Sequence, residues 1–134
     1  MDFFSAMNVS ASALTAERTR MNLISGNLAN ANTTRTPEGG PYKRLDPVFE
    51  PTIVGEDGVV GVKVSEIHQD ESGGRQVYMP GHPDADQNGY VQYPDINVVE
   101  EMTNMIQATR SYEANTTTIS TIKAMYNKAL DIGR

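Results

Sequence analysis

The chain contains no cysteine and no tryptophan. The first absence removes disulfides, thiolate metal sites and cysteine nucleophiles, and leaves the redox compartment open. Long apolar runs are missing too: nothing approaches the roughly 18 residues of a spanning helix. Mean hydropathy is −0.46, so no direct membrane insertion is expected. The opening Met1-Asp2-Phe3-Phe4 carries an acid where a secretory leader carries bases, and no apolar core follows it; no cleaved leader is expected. Positive charge is scarce, with 11 Lys and Arg against 17 Asp and Glu and a net charge of −6. Phosphate backbones need clustered bases, so nucleic acid is not an expected partner. Leu, Ile, Val and Phe make up only 27 of 134 residues. That lies at the edge of what builds a core, and a marginal monomer follows.

What is present divides into three segments, 1–34, 35–96 and 97–134. All seven prolines, nine of the eleven glycines and the whole charge imbalance fall in the middle one, while six of the seven methionines fall outside it. Proline-free ends can run as uninterrupted helices. In the first, Met7, Leu14, Met21 and Leu28 recur every seven residues, with Ile24 beside them. In the last, Val98, Met105, Tyr112, Ile119 and Tyr126 form one heptad series, and Met102, Thr109, Thr116, Lys123 and Leu130 form a weaker second. This predicts a mainly α protein with a small β insertion, its long terminal helices pairing as a coiled coil. A helix over most of 97–134 runs about 55 Å, longer than the roughly 36 Å diameter of a compact domain this size. The apolar stripes therefore finish their burial against other chains. Asn97 is the expected N-cap, with Glu100 and Glu101 at the positive helix end.

The middle predicts short, twisted strands: Phe49 to Val54, an Asp57-Gly58 turn, alternating Val60, Val62 and Val64, and Arg75 to Met79 ending at Pro80.

Catalytic constellations are few. His68 and His82 lack the short spacing that puts two imidazoles on one metal, so a metal hydrolase is a remote alternative and no cofactor is expected. The sharpest local pattern is Asp84, Asp86 and Asn88, then Gly89, with Asp95 at the twelfth position. It matches the oxygen-ligand spacing of a calcium loop, without the entering helix and with aspartate for the closing glutamate. A calcium-dependent binding module is the alternative reading.

The stretch Ser25 to Arg44, SGNLANANTTRTPEGGPYKR, resembles the signature of bacterial flagellar axial rod proteins. Asn27, Ala29, Asn30, Asn32, Thr33, Thr34, Pro37, Gly39, Gly40, Pro41 and Tyr42 carry the pattern, and its second half is similar to the proximal-rod members. Two further blocks agree, MPGHPDADQNGYVQYPDINVVEEM from Met79 and NMIQATRSYEAN from Asn104. The resemblance implies a non-enzymatic subunit of the basal-body rod, whose paired terminal helices stack with their neighbours. It implies export through the flagellar type III apparatus, and assembly in the periplasm with copies of itself, other proximal-rod proteins, the rod adaptor at the inner-membrane ring and the distal rod protein. Physically, Asn27, Asn30 and Asn32 with Thr33 and Thr34 should end the first helix, because Asn tolerates the left-handed conformation and short polar side chains bond free backbone groups. Expected assembly residues are Met7, Leu14, Met21, Ile24, Leu28, Val98, Met102, Met105, Tyr112, Ile119, Tyr126 and Leu130.

Overall fold

A computed structural model describes residues 3–55 and 57–133; Met1, Asp2, Glu56 and Arg134, which the three segments above include, lie outside the described residues. The elements run α1 (Phe3–Ala29), β1 (Leu45–Val54), β2 (Val59–Gln69), β3 (Arg75–Tyr78), β4 (Tyr90–Tyr93) and α2 (Val98–Ile132). Two long helices thus flank a small β middle, as the proline distribution predicts.

The helices lie antiparallel. Phe3 meets Tyr126 at one end, Met21 meets Thr109 near the centre, and Asn27 meets Glu101 at the other end. At 35 residues, α2 is about 52 Å long and outruns α1 beyond Tyr126. Asn97 caps it as expected, its side chain accepting from the N–H groups of Val99 and Glu100 at 3.1 and 3.3 Å. The threonine run of modest helix propensity stays helical. Hydroxyls of Thr116, Thr118 and Thr121 each donate to the carbonyl four residues back, satisfying themselves on the helix they would otherwise compete with.

Several expectations need correction. α1 stops at Ala29, five residues short of the predicted boundary. It does so without a left-handed Asn, since every positive-φ residue among those described is glycine; Asn30 instead folds its side-chain amide back onto the Gly26 carbonyl at 2.9 Å. The helix seam is also shifted. Glu101 and Ala108 are buried, Asn115 and Ile122 half-buried, whereas Met102, Thr116, Lys123 and Leu130 face solvent. The second series on the α1 face is therefore Glu101, Ala108, Asn115 and Ile122, one residue earlier than hydrophobicity alone selects, although Thr109 of the predicted series still meets Met21.

Strands β1 and β2, ten and eleven residues long, exceed the short strands predicted. Pro47 and Pro51 are tolerated because a two-stranded sheet leaves each strand an open edge that needs no donor. Their register shifts between Val48 and Phe49. The hairpin lies along α1. Val62 N–H donates to Ser12 Oγ at 3.1 Å, and a Cβ at Gly61 would sit 2.5 Å from that oxygen, so only glycine permits this approach. Strand β4, pairing antiparallel with β3, was not predicted; its alternating Tyr90 to Tyr93 lies inside the calcium-like pattern. Among the described residues the buried apolar side chains are few: Ala16, Ile24, Ala31, Val91, Pro94, Ile96 and Ala108.

Candidate assembly interface

The polar signature residues build a junction where α1 ends, β1 begins and α2 starts. Asn27 is wholly buried and Glu101 is 1% exposed. The Asn27 amide reads the Leu45 backbone as a neighbouring strand would: Nδ2 donates to the Leu45 carbonyl at 2.9 Å, and Oδ1 accepts from the Leu45 N–H at 3.0 Å. Oδ1 also accepts from the Tyr42 hydroxyl at 3.1 Å, and Nδ2 reaches Glu101 Oε2 at 3.2 Å. Arg44 Nε donates to Glu101 Oε1 at 2.6 Å while its guanidinium also pairs with Asp46. A buried charge is tolerable only when paired and hydrogen-bonded, and each Glu101 oxygen has such a partner. Burial, together with the nearby Glu101 charge, pushes the Tyr42 hydroxyl pKa up.

The rest of the signature shapes the loop. Thr33 Oγ1 donates to Asn30 Oδ1 at 3.1 Å, and Tyr42 N–H returns to the Thr33 carbonyl at 3.1 Å. Pro37 sits in a turn closed by Gly39 N–H on the Thr36 carbonyl at 2.9 Å, and Gly39 and Gly40 take φ of 87° and 77° that other residues resist. Pro41 is half-buried, while Ala29 and Asn32 face solvent. Thr34 donates to Asp84 at 2.8 Å and Arg35 pairs with the same carboxylate. The Thr34 bond and the Arg35 charge hold Asp84 below its ordinary pKa of 3.8.

Asp84 is thus committed to the signature loop. Asp86 closes its own turn, accepting from Asn88 and Tyr90 N–H at 2.8 and 2.9 Å, and Asp95 lines a separate polar cleft with Arg44, His68 and Asp70. The three aspartates of the calcium-like spacing point to different neighbours, and no group of three or more His, Asp or Glu among the described residues could hold a metal ion. His68 lies exposed on β2. His82 sits in the loop before β4, its Nδ1 accepting from Asp84 N–H at 3.0 Å.

The expected assembly residues fall into two sets. Ile24 is buried, and Met7, Leu14, Met21, Leu28, Met105, Tyr112 and Ile119 are half-buried. Phe3 and Phe4 stand edge-on to Tyr126, each with ring centroids 5.8 Å apart. Val98, Met102 and Leu130, by contrast, are 45%, 53% and 55% exposed. Val99 and Ile106, absent from the expectation, are more exposed still, at 72% and 57%; they fall outside both heptad series. Arg44 was also missed, although its position just before an apolar strand and within the signature block was a signal.

Comparison with known proteins finds relatives of this chain at both of its ends and along its whole length. The family model "Flagella basal body rod protein" matches residues 7–35, and "Flagellar basal body rod FlgEFG protein C-terminal" matches residues 87–132. Proteins named flagellar basal-body rod protein FlgC are similar over essentially their whole length. The one from Borreliella burgdorferi is 42% identical, over 98% of both chains. That from Bacillus subtilis is 42% identical and that from Salmonella typhimurium 38%, each over 100% of both chains.

Proposed function

This chain belongs to the flagellar basal-body rod protein family, and from that membership we propose that it is a subunit of the proximal rod. It is a structural protein of the flagellar basal body and serves motility; the matched families are rod proteins and none is catalytic. In this reading the terminal helices pair as a coiled coil, complete their burial on neighbouring subunits and stack into a helical tube that transmits torque. The neighbours are copies of itself, other proximal-rod proteins, the adaptor at the inner-membrane ring and the distal rod protein. The chain reaches the periplasm through the flagellar type III apparatus.

The observation that carries this reading is the outer face of α2, where Val98, Val99, Met102 and Ile106 stay exposed on a helix whose other side is docked. Such a row on a docked helix marks a protein–protein surface. The decisive variant is Met102→Lys with Ile106→Asp, supplied to a flagellated strain lacking the native chain. Unchanged solubility and helix content, with no variant in purified basal bodies and no swimming, is the expected result. Incorporation at the wild-type level overturns the reading. Substitutions at Met105 or Ile119 are poorer tests, since both side chains face α1 and unfolding would intervene.

A further inference from the structure

The β1–β2 hairpin is oriented against ordinary amphipathic logic. Its contacts with α1 include Val62 N–H on the Ser12 hydroxyl, Gly55 beside Asn8 and the Ser5 hydroxyl on Asp57. Val62 and Val64 are half-buried toward α1, but near the turn Ile53 and Val60 are 71% and 60% exposed and stand directly opposite each other across the strands. Ile67 is 50% exposed further along β2, whereas Phe49 turns toward the groove beside α2. A two-stranded hairpin is marginal alone, and one that keeps this much apolar surface wet is short of a partner.

The position of that partner follows from helix geometry. Asn104 lines the groove between α2 and the hairpin, with Pro47 and Phe49 on its far wall. Met102 and Ile106 are two residues either side of Asn104, hence roughly 160° around the helix from it. The hairpin and the α2 stripe therefore lie on opposite flanks of one chain and cannot meet within it. We propose that the outer surface of the β1–β2 hairpin docks on the Val98–Ile106 stripe of α2 in a second copy of this chain. The proposal rests on the rod reading above and adds the complementary half of that contact.

Three observations favour a second copy. Each surface exposes apolar area on the order of 400 Å², so a single joined pair is a weak contact, smaller than the roughly 1,200 Å² of a stable specific interface. Such a contact holds poorly between two free chains and well when repeated. Opposite placement makes the contact heterologous, and heterologous contacts propagate where isologous ones stop at a dimer. Charge agrees: Arg110, one turn beyond Ile106, and Glu66, next to Ile67, form no ion pair among the described residues.

The absence of cysteine makes the test clean. Val60→Cys and Ile106→Cys are introduced together and singly into a cell's only copy of the chain, and purified basal bodies are oxidised. A ladder of disulfide-linked multimers from the double variant, with monomer from each single variant, is the expected result. Unlinked monomer from the double variant in intact basal bodies overturns the proposal, as does a dimer from either single variant, which signals an isologous contact. If the first pair prevents incorporation, Ile53→Cys with Met102→Cys repeats the measurement under the same outcomes. Absence of the unmodified chain from basal bodies overturns the rod reading itself and this proposal with it. Independently, Ile53→Asp with Val60→Asp should reduce intact basal bodies roughly tenfold, as loss of an interface hot spot does, while the purified variant keeps its helix content. Undiminished assembly overturns the proposal.

Discussion

At one end of the helix pair Asn27, Arg44 and Glu101 meet in a buried polar lattice. At the other, Phe3 and Phe4 stand edge-on to a Tyr126 ring that keeps 38% of its surface in solvent. The polar end is complete within the chain, each charge and amide finding a partner a few ångströms away. The aromatic end is unfinished: a small apolar hollow opens among Phe3, Met7, Ile122 and Tyr126, and Leu130 and Ile132 run on beyond α1 with 55% and 84% exposure. Hydrogen-bonded geometry fixes which segments meet. Exposed rings and aliphatic side chains leave surface for neighbours to bury.

The contrast breaks first at Glu101. Glu101→Ala removes a buried acceptor and leaves the half-buried Arg44 guanidinium and the Asn27 amide short of partners, an expected loss of about 3–5 kcal/mol in urea unfolding of the purified chain. Tyr126→Ala in the same assay should cost about 2 kcal/mol, the worth of its two aromatic edge contacts, while still abolishing incorporation into basal bodies. Equal losses would erase the distinction between the ends. Asn27→Ala, which strands the Leu45 N–H and carbonyl, should cost about 2–3 kcal/mol. Asn27→Asp sharpens the point, because a second carboxylate would then face Glu101. It should be worse than the alanine variant at neutral pH and recover as acid protonates the new group.

Much of this architecture was legible in the residues. Proline and glycine confined to the middle set the helix–β–helix order, and Asn97 with Glu100 and Glu101 marked the start of α2. The seam was misplaced because hydrophobicity ranks Met102 and Leu130 above Glu101, Asn115 and small Ala108, and the structure buries the latter set. That choice is invisible until Arg44 and Asn27, 57 and 74 residues away in sequence, arrive to pair the carboxylate. Strand β4 was hidden for a related reason: aspartates spaced like calcium ligands also serve as turn-closing acceptors, and only tertiary contact with Thr34 and Arg35 decides the use. The signature string was recognisable as a pattern, yet the task of Asn27, imitating a β-strand for Leu45, follows from geometry alone.

The smaller predictions concern the start of α2 and the middle of α1. Asn97→Ala strands two N–H groups at the start of α2 and should cost about 1 kcal/mol, read as a lower urea midpoint. The smallest effect, and the one of opposite sign, belongs to Glu17 in the middle of α1. Its side chain is 16% exposed with Arg20 at 3.8 Å, and its buried Oε2 lacks a hydrogen-bond partner among the described residues. Burial raises its pKa above the ordinary 4.5, with Arg20 opposing in part. A folded-state pKa above the unfolded one means that the charged carboxylate destabilises the fold. The penalty is fully present above the folded pKa and disappears below pH 4.5. Glu17→Gln should therefore raise the urea midpoint slightly at pH 7 and leave it unchanged once the pH falls below that value. A lower midpoint at pH 7 would mean that the Arg20 pair outweighs burial, making this stretch of α1 a charged contact complete in itself, like the Glu101 end.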